Sequence, residues 1–501
     1  MTFPRVYTYL NLQRENRSPQ FTVDEALVEM GFGKFQGLVL AYAGMGWIAE
    51  AMEMMLLSFV GPAVQAEWGL TSHEESLITS VVFAGMLVGA YSWGIVSDNL
   101  GRRNGFFITA IITSIAAFLS AFAPNYISLI ILRCLVGLGL GGGPVLSSWF
   151  LEFIPAPERG TWMVVFSTFW TVGTILEASL AWLIMPTLGW RWLLALSSLP
   201  SFILLLFYAY VPESPRYLCL KGRTAEALAV LDKIARLNHV ERPSGTLVTE
   251  HTLELHENHT PTEDTHLLSA AAVKNEEKIM DSKAESASSL VMLLSPKLIK
   301  STLLLWLVFF GNAFAYYGLV LLTTELTSRN SQCRPIELQS GKDSNSYRDV
   351  FIASFAEFPG LVISAITVDR LGRKFSMSAM FFICCGFLLP LVYQQSETLT
   401  TALLFGARIC ITGTFTIVYI YAPEVYPTSV RTTGVGVASA MGRIGGIVCP
   451  LVAVGFVHNC HQTASILLFE VVIFLSGVAV LYFPFETSGV ELSDNVSEIN
   501  P

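Results

Sequence analysis

Charged residues are scarce in this chain: 14% of its 501 positions are Asp, Glu, Lys or Arg. A soluble domain carries about 25%, so too few polar side chains are present to cover a water-facing surface. That speaks against an ordinary cytosolic enzyme. Basic charge is scarcer still. Thirty Lys and Arg against 39 Asp and Glu leave a formal charge of −9, with no basic footprint for nucleic acid. Eight cysteines without a CxxC pair make neither a disulfide scaffold nor a zinc site. A cleavable signal peptide is not expected either, because Arg5, Arg14, Arg17 and Lys34 precede any apolar core. What is present is apolar: 52% hydrophobic residues and a mean hydropathy of +0.55 fit a protein dissolved in a bilayer.

A membrane-crossing helix needs about 20 mostly apolar residues. Six such runs lie at about 36–62, 77–97, 105–122, 126–149, 161–185 and 190–211, and six more at about 299–322, 350–368, 376–394, 400–420, 434–456 and 464–483. The expected architecture is therefore all-α, with twelve transmembrane helices in two six-helix bundles, 36–211 and 299–483. A segment 1–35 precedes them, a polar linker 212–298 joins them and a tail 484–501 follows. With the N-terminus in the cytosol, the short cytosolic segments hold Arg5, Arg14, Arg17, Lys34, Arg102, Arg103, Arg159, Arg370, Arg373, Lys374 and Arg431. The 7–8 loop on the opposite side holds Arg329, Arg334, Lys342 and Arg348. The positive-inside rule then places both termini and the linker in the cytosol.

The linker is polar and without apolar period outside Thr224–Leu237, so it is expected to be largely disordered. His251, His256, His259 and His266 cluster there, but a mobile loop is a poor metal cage, and no metal or cofactor is expected. Glu263, Leu267 and Leu268 form an ExxxLL string that would suit a vacuolar or endosomal sorting signal; the plasma membrane is the default expectation. The sequons at Asn16, Asn258 and Asn495 fall on the cytosolic side, so glycosylation is not expected. Cys333 and Cys460 fall in external loops, where a disulfide between them is one alternative.

The chain repeats itself. GIVSDNLGRR (Gly94–Arg103) is echoed by DRLGRK (Asp369–Lys374), Arg133 by Arg408, Glu152 by Glu424 and Arg159 by Arg431, at offsets of 271 to 275 residues. Four landmarks at nearly one offset indicate a tandem duplication with parallel halves. Gly94-x-x-x-Asp98-x-x-Gly101-Arg102-Arg103 resembles the 2–3 loop signature of the major facilitator superfamily. PESPRYL (Pro212–Leu218) and PEVYPTSVR (Pro423–Arg431) resemble its sugar-porter and organic-ion branch. The resemblance implies alternating access around a site near the bilayer midplane. Asp98, Arg102, Arg103, Glu152 and Arg159, with Asp369, Arg373, Glu424 and Arg431 in the repeat, sit at helix ends. There they are expected to form a gate latch rather than only set topology.

Ionisable groups inside the spans each need a reason, at about 2.5–3.5 kcal/mol apiece on insertion scales. Glu50 and Glu53 share one face of span 1, with Glu50 about 21 Å along it. Adjacent carboxylates in low dielectric resist double ionisation, which suits a proton carrier and equally a cationic substrate; the structural alternative is pairing with Arg133 or Arg408. Arg133 and Arg408, at matching places, suggest a shared role in bonding neighbouring helices. Glu177 and Glu357 are further candidates for pairs or proton relays. Arg443 lies about 13–14 Å into span 11 as a permanent charge; an internal acid, Glu357 or Glu470, or a substrate anion would satisfy it. Trp47, Trp170, Phe310, Tyr316 and Tyr317 are candidates to hold a flat substrate. Asn312 shares a face with Tyr316, and the glycines of span 4 argue for close helix contact.

The strings VDEALVEMGFGKFQ and GMGWIAEAMEMMLLSF (residues 23–36 and 44–59) resemble the nicotinate and synaptic-vesicle-2-related transporters, organic cation/carnitine transporter-like in plants. In the organic-ion branch an arginine at the place of Arg443 accompanies anion transport. The resemblance implies proton-coupled symport of nicotinate or a similar aromatic monocarboxylate, or its zwitterion trigonelline. Arg443, Trp47, Asn312, Tyr316 and Tyr317 would then bind substrate, and Glu50, Glu53 and Glu177 would handle the proton. The rivals are a cation or carnitine carrier using Glu50 and Glu53, a sugar porter, and a non-transporting membrane binding protein. An enzyme is not expected, since no nucleophile–base pair, phosphate loop or metal cluster stands out. The partners expected are the small molecule, H+ and the lipid bilayer, with the protein as a monomer.

Overall fold

The computed structural model describes residues 20–155, 158–248, 292–329, 343–393, 395–426, 431–458, 462–484 and 486–487. Side chains at 98, 160, 327–329, 343–346, 369, 431–432 and 456–458 lie outside that description. So do Asn16, Asn258, Asn495, the four linker histidines, the ExxxLL string, Cys333 and Cys460.

In hydrocarbon every backbone N–H and C=O must be satisfied within the chain, which leaves helices as the form an apolar run of this length takes. Twelve helices meet the length and apolarity needed to cross a membrane. In order they are Lys34–Trp68, Ser72–Ser97, Arg102–Ser120, Tyr126–Leu151, Thr161–Leu188, Trp190–Tyr210, Ile299–Leu326, Tyr347–Val368, Arg373–Val392, Glu397–Val425, Thr433–Gly455 and Gln462–Leu481, called spans 1 to 12. Span 1 runs well past residue 62, where the apolar pattern stops, because Pro62 is accommodated inside the helix. Pro is tolerated in membrane helices whose neighbours satisfy the freed carbonyl.

Span 4 is broken in two, Tyr126–Leu140 and Gly143–Leu151, with a turn at Gly141–Gly142 between them. The glycines upstream of the break let its backbone touch span 2. A Cβ on Gly137 would lie 2.1 Å from the Val82 carbonyl oxygen, and one on Gly89 would lie 2.2 Å from that of Leu138. No side chain fits at either place, so the two backbones set their own separation.

The part of the linker nearest span 6 is folded beyond the helical patch expected near Thr224–Leu237, while residues 249–291 lie outside the described residues. Before span 1, a strand β1 (Gln20–Phe21) and a helix α1 (Val23–Met30) lie on the face where that span begins; we call this the terminal face. After span 6, helices α2 (Pro215–Leu220) and α3 (Thr224–Asn238) and strand β2 (Thr246–Leu247) join them. The strands pair in parallel, Gln20 with Thr246 and Phe21 with Leu247. Asp24 accepts from Arg159 at 2.9 Å and also pairs with Arg216. Asn238 accepts from the Phe35 N–H at 3.0 Å and donates to Gln36 at 2.8 Å. Phe32 stacks on Trp162 at 3.5 Å between centroids. The strand pairing, the Asp24–Arg216 pair and the bonds of Asn238 hold residues 212–248 against α1 and span 1.

Candidate substrate and gating sites

Spans 1–6 and 7–12 meet along spans 2 and 11 and along spans 5 and 8. Ser76 and Ser80, one turn apart on span 2, donate to the span 11 carbonyls of Pro450 at 3.2 Å and Ile447 at 2.9 Å. Pro450 is carried inside that helix. Phe83 lies against Gly446 and edge-on to Tyr317, 4.7 Å between centroids. On the other seam Trp170 donates to the Tyr316 hydroxyl at 2.8 Å, Thr174 donates to Glu357 at 3.2 Å, and Trp182 meets Phe351 at 5.4 Å. Leu57 and Thr79 face Leu321 and Val454 around a small void. These contacts lie from mid-span toward the far face, opposite the terminal face.

At the terminal face the ion pairs described stay inside one half. Arg102 meets Glu152 at 3.2 Å, and Arg373 grips Glu424 with two bonds of 3.2 and 3.1 Å. Arg159 does not join that pair; it reaches Asp24 of α1 instead. The Arg103 guanidinium lies over the Tyr208 ring at 4.4 Å. The side chains of Asp98, Asp369 and Arg431 lie outside the described residues.

Sequence reasoning missed two further members of this arrangement. Glu213 accepts from the backbone N–H of Arg103 at 3.1 Å, where span 3 begins. Glu486 accepts from those of Arg373 and Lys374 at 2.8 and 2.9 Å, where span 9 begins. A carboxylate at a helix N-terminus satisfies orphan donors and complements the macrodipole. Burial pushes the Glu213 carboxyl above the usual carboxylate range, opposed by the N–H groups of Ser214 and Arg103. Their spacing, 273 residues, matches the repeat and was the signal available.

Several charged groups lie inside the spans, and those singled out from the sequence fall into distinct settings. Glu53 and Arg133 form a pair of 3.1 Å with both side chains fully buried, and Arg133 also donates to Ser120 at 3.2 Å. Arg408 pairs with Glu357 at 2.8 Å, and Tyr316 donates to the same carboxylate oxygen at 2.7 Å. Glu177 accepts from Ser197. Glu50 and Arg443 are different. Glu50 is buried, packed where a side chain on Gly143 would meet its carboxylate at 2.7 Å, and it has no hydrogen bond among the described residues. It borders a cavity of about 40 Å³ with Thr109, Thr113 and Ser201, room for about one water. Arg443 is half-buried and, among the described residues, makes neither an ion pair nor a hydrogen bond.

The aromatic candidates surround the same region. Trp47 packs on Trp170 and Phe166 with centroids 5.4 and 5.0 Å apart, and Tyr316 sits 5.2 Å from Tyr317 and 5.3 Å from Phe415. Phe310 packs on Phe314. Asn312 is buried; its oxygen accepts from Thr414 at 2.9 Å, while its amide nitrogen has no partner. Thr174, Ser76, Ser80, Phe83 and Phe415 were not identified from the sequence.

Twelve spans meeting along two seams, with unpartnered charge at their centre, make this a membrane transporter of the major facilitator superfamily rather than an enzyme. The profile described as "Sugar (and other) transporter" matches residues 42–496, and the chain belongs to that family. It is 70% identical over 485 residues to organic cation/carnitine transporter 7 of Arabidopsis thaliana, covering 95% of this chain and 97% of that one. It is 37% identical to the synaptic vesicle 2-related protein of Xenopus laevis, covering 95% and 83%. The inward open structure of the E. coli xylose transporter XylE matches with a TM-score of 0.65 at 15% identity, over 91% of this chain and 97% of that one; the likeness is one of fold.

Proposed function

We propose that this transporter is a proton-coupled symporter of a small aromatic monocarboxylate such as nicotinate, with the zwitterion trigonelline as a related substrate. The observation that carries the reading is Arg443: a permanent positive charge at mid-span with no ion pair among the described residues. A guanidinium left so in low dielectric is costly, and a substrate carboxylate supplies the bidentate partner it fits. Trp47, Tyr316, Tyr317 and Asn312 bind the ring around it. Glu50, beside its small cavity, takes the proton, with Glu53 and Glu177 as the remaining acids of that half. Substrate bound at Arg443 and a proton on Glu50 each remove a bare charge from the low-dielectric interior, which favours moving anion and proton together.

In this reading the terminal face is cytosolic, carrying both termini and the linker, and the halves 36–211 and 299–483 rock as bodies about the site. The closed far face then makes the present conformation inward-facing. The pairs Arg102–Glu152 and Arg373–Glu424, with Arg103, Arg159, Asp98, Asp369 and Arg431, form the latch that closes the cytosolic side in the opposite state. The transporter works as a monomer in the plasma membrane, with a vacuolar or endosomal membrane as the alternative location.

A second reading has its own support. The Arabidopsis relative is named for organic cations and carnitine, and Glu50 has no hydrogen bond to offset its charge; a substrate cation at Glu50 would fill that role. Uptake of radiolabelled nicotinate and carnitine at about pH 5.5 and about pH 7.5, beside Arg443→Ala and Glu50→Gln, separates the two. Acid-stimulated nicotinate uptake that falls about 10- to 100-fold in Arg443→Ala supports the carboxylate reading, since a hydrogen bond to a charged group contributes about 1.5–3 kcal/mol. Carnitine uptake without nicotinate uptake, insensitive to Arg443→Ala, overturns it.

A further inference from the structure

Glu357 stands at the centre of a hydrogen-bonded cluster that crosses between the halves. Arg408 and Tyr316, from spans 10 and 7 of its own half, donate to Oε1 at 2.8 and 2.7 Å. Thr174, from span 5 of the other half, donates to Oε2 at 3.2 Å. Trp170, one turn before Thr174, donates to the Tyr316 hydroxyl at 2.8 Å, so the opposite half also touches the cluster through the phenol. The carboxylate is fully buried and Arg408 nearly so, with side chains 1% and 2% exposed.

Two details make this contact reversible. The Thr174 hydroxyl is within reach of a second acceptor, the Thr171 carbonyl of its own helix, at 3.0 Å. When the halves part, it turns to that carbonyl and is not left unsatisfied. Glu357 keeps Arg408 and Tyr316, which move with it, so its charge is never abandoned in the membrane. A bond with a fallback on one side and a preserved ion pair on the other is easily made and broken.

We propose that Glu357 is a positioning residue for alternating access: the Glu357–Arg408 pair presents a fixed acceptor to Thr174 and, through Tyr316, to Trp170, and these two donors hold the far face closed. Glu357 touches no substrate in this role. Its effect is on the balance between the closed and open far face. The inference goes beyond the carboxylate reading and stands whichever substrate is carried.

The test needs no substrate. Val454 lies buried near the far end of span 11, beside Leu57 and Thr79 of the other half. In the full chain carrying Val454→Cys, the rate of reaction with a membrane-impermeant maleimide from the far side measures opening, against the same chain without the added cysteine. Thr174→Val and Glu357→Gln are each expected to raise that rate about tenfold, the scale of one lost hydrogen bond to a charged acceptor. Thr174→Ser, which keeps the hydroxyl, is expected to label as slowly as the parent. Thr174 is a small, conservative site, so Thr174→Val decides even where Glu357→Gln fails to reach the membrane. A Thr174→Val protein that labels at the parental rate overturns the proposal.

Discussion

In the first half Arg133 meets Glu53 of span 1 with both side chains sealed inside that half. In the second half Arg408, at the matching place in the repeat, meets Glu357 of span 8 on the seam that faces the first half. One ancestral arginine has thus found its acid on different helices. A pair enclosed in one bundle holds that bundle together in every state of the cycle. A pair on the seam is shared with a neighbour that comes and goes. Arg443 is a third case, with no ion pair among the described residues, and in the proposed reading the three arginines form a graded series from structure through coupling to substrate.

That series can be broken at each step. The largest effect is expected at the enclosed pair: Glu53→Ala strands Arg133 in a dry interior at about 3–5 kcal/mol. Thermal unfolding of the protein in detergent is expected to show a drop of about 10 °C, largely recovered in the double variant Glu53→Gln/Arg133→Gln. A drop no larger than that of Glu357→Ala would erase the distinction between the two pairs. Glu357→Ala is expected to cost about half as much, because the seam admits water when it opens. Arg443→Ala removes a charge with no ion pair among the described residues, so its unfolding temperature is expected to stay within about 2 °C of the parent while uptake collapses. A large loss of stability there would make Arg443 a structural residue.

The smallest effect concerns pH and lies outside the membrane. Glu213 has its folded titration raised by burial above the unfolded value. A raised carboxyl favours the folded state in its protonated form. Its contribution is therefore complete below the unfolded value of about 4.3 and is lost as pH rises through the higher folded value. Unfolding temperature is expected to decline by about 1–2 °C more in the parent than in Glu213→Gln between about pH 4.5 and about pH 7. An identical slope in both proteins would remove Glu213 from the account.

The spans could be read from the chain because twenty apolar residues in a row have one use. Their ends were less legible: Pro62 and Pro423 look like stops and are carried inside helices instead. Arg133, Arg408, Glu50 and Arg443 stood out because a charge in hydrocarbon is conspicuous. Which acid each arginine meets did not, since Glu53 and Glu357 are adjacent to their arginines only after helices separated by 80 and 51 residues have packed. Thr174, Ser76, Ser80 and Phe83 were invisible for a different reason. A hydroxyl or a ring in an apolar run looks the same whether it faces lipid or the other half, and only helix rotation decides. Glu213 and Glu486 each follow a nearby proline, Pro212 and Pro484, and precede a hydroxyl residue, Ser214 and Thr487, so alignment of the two halves would have found them.

The strand pairing between residues 20–21 and 246–247 bears on how the chain is made. Every partner that α1, β1 and the first six spans find in one another has left the ribosome once β2 emerges. At about 5–20 residues per second, synthesis of the remainder takes roughly 13–50 s. The first half can therefore complete its own brace, including Asp24 between Arg159 and Arg216, while the second is still being translated. The serine-to-carbonyl bonds of Ser76 and Ser80 and the Thr174–Glu357 contact then form last, between two bodies that already exist. In the alternating-access reading, assembly ends with the same docking motion that the transport cycle repeats.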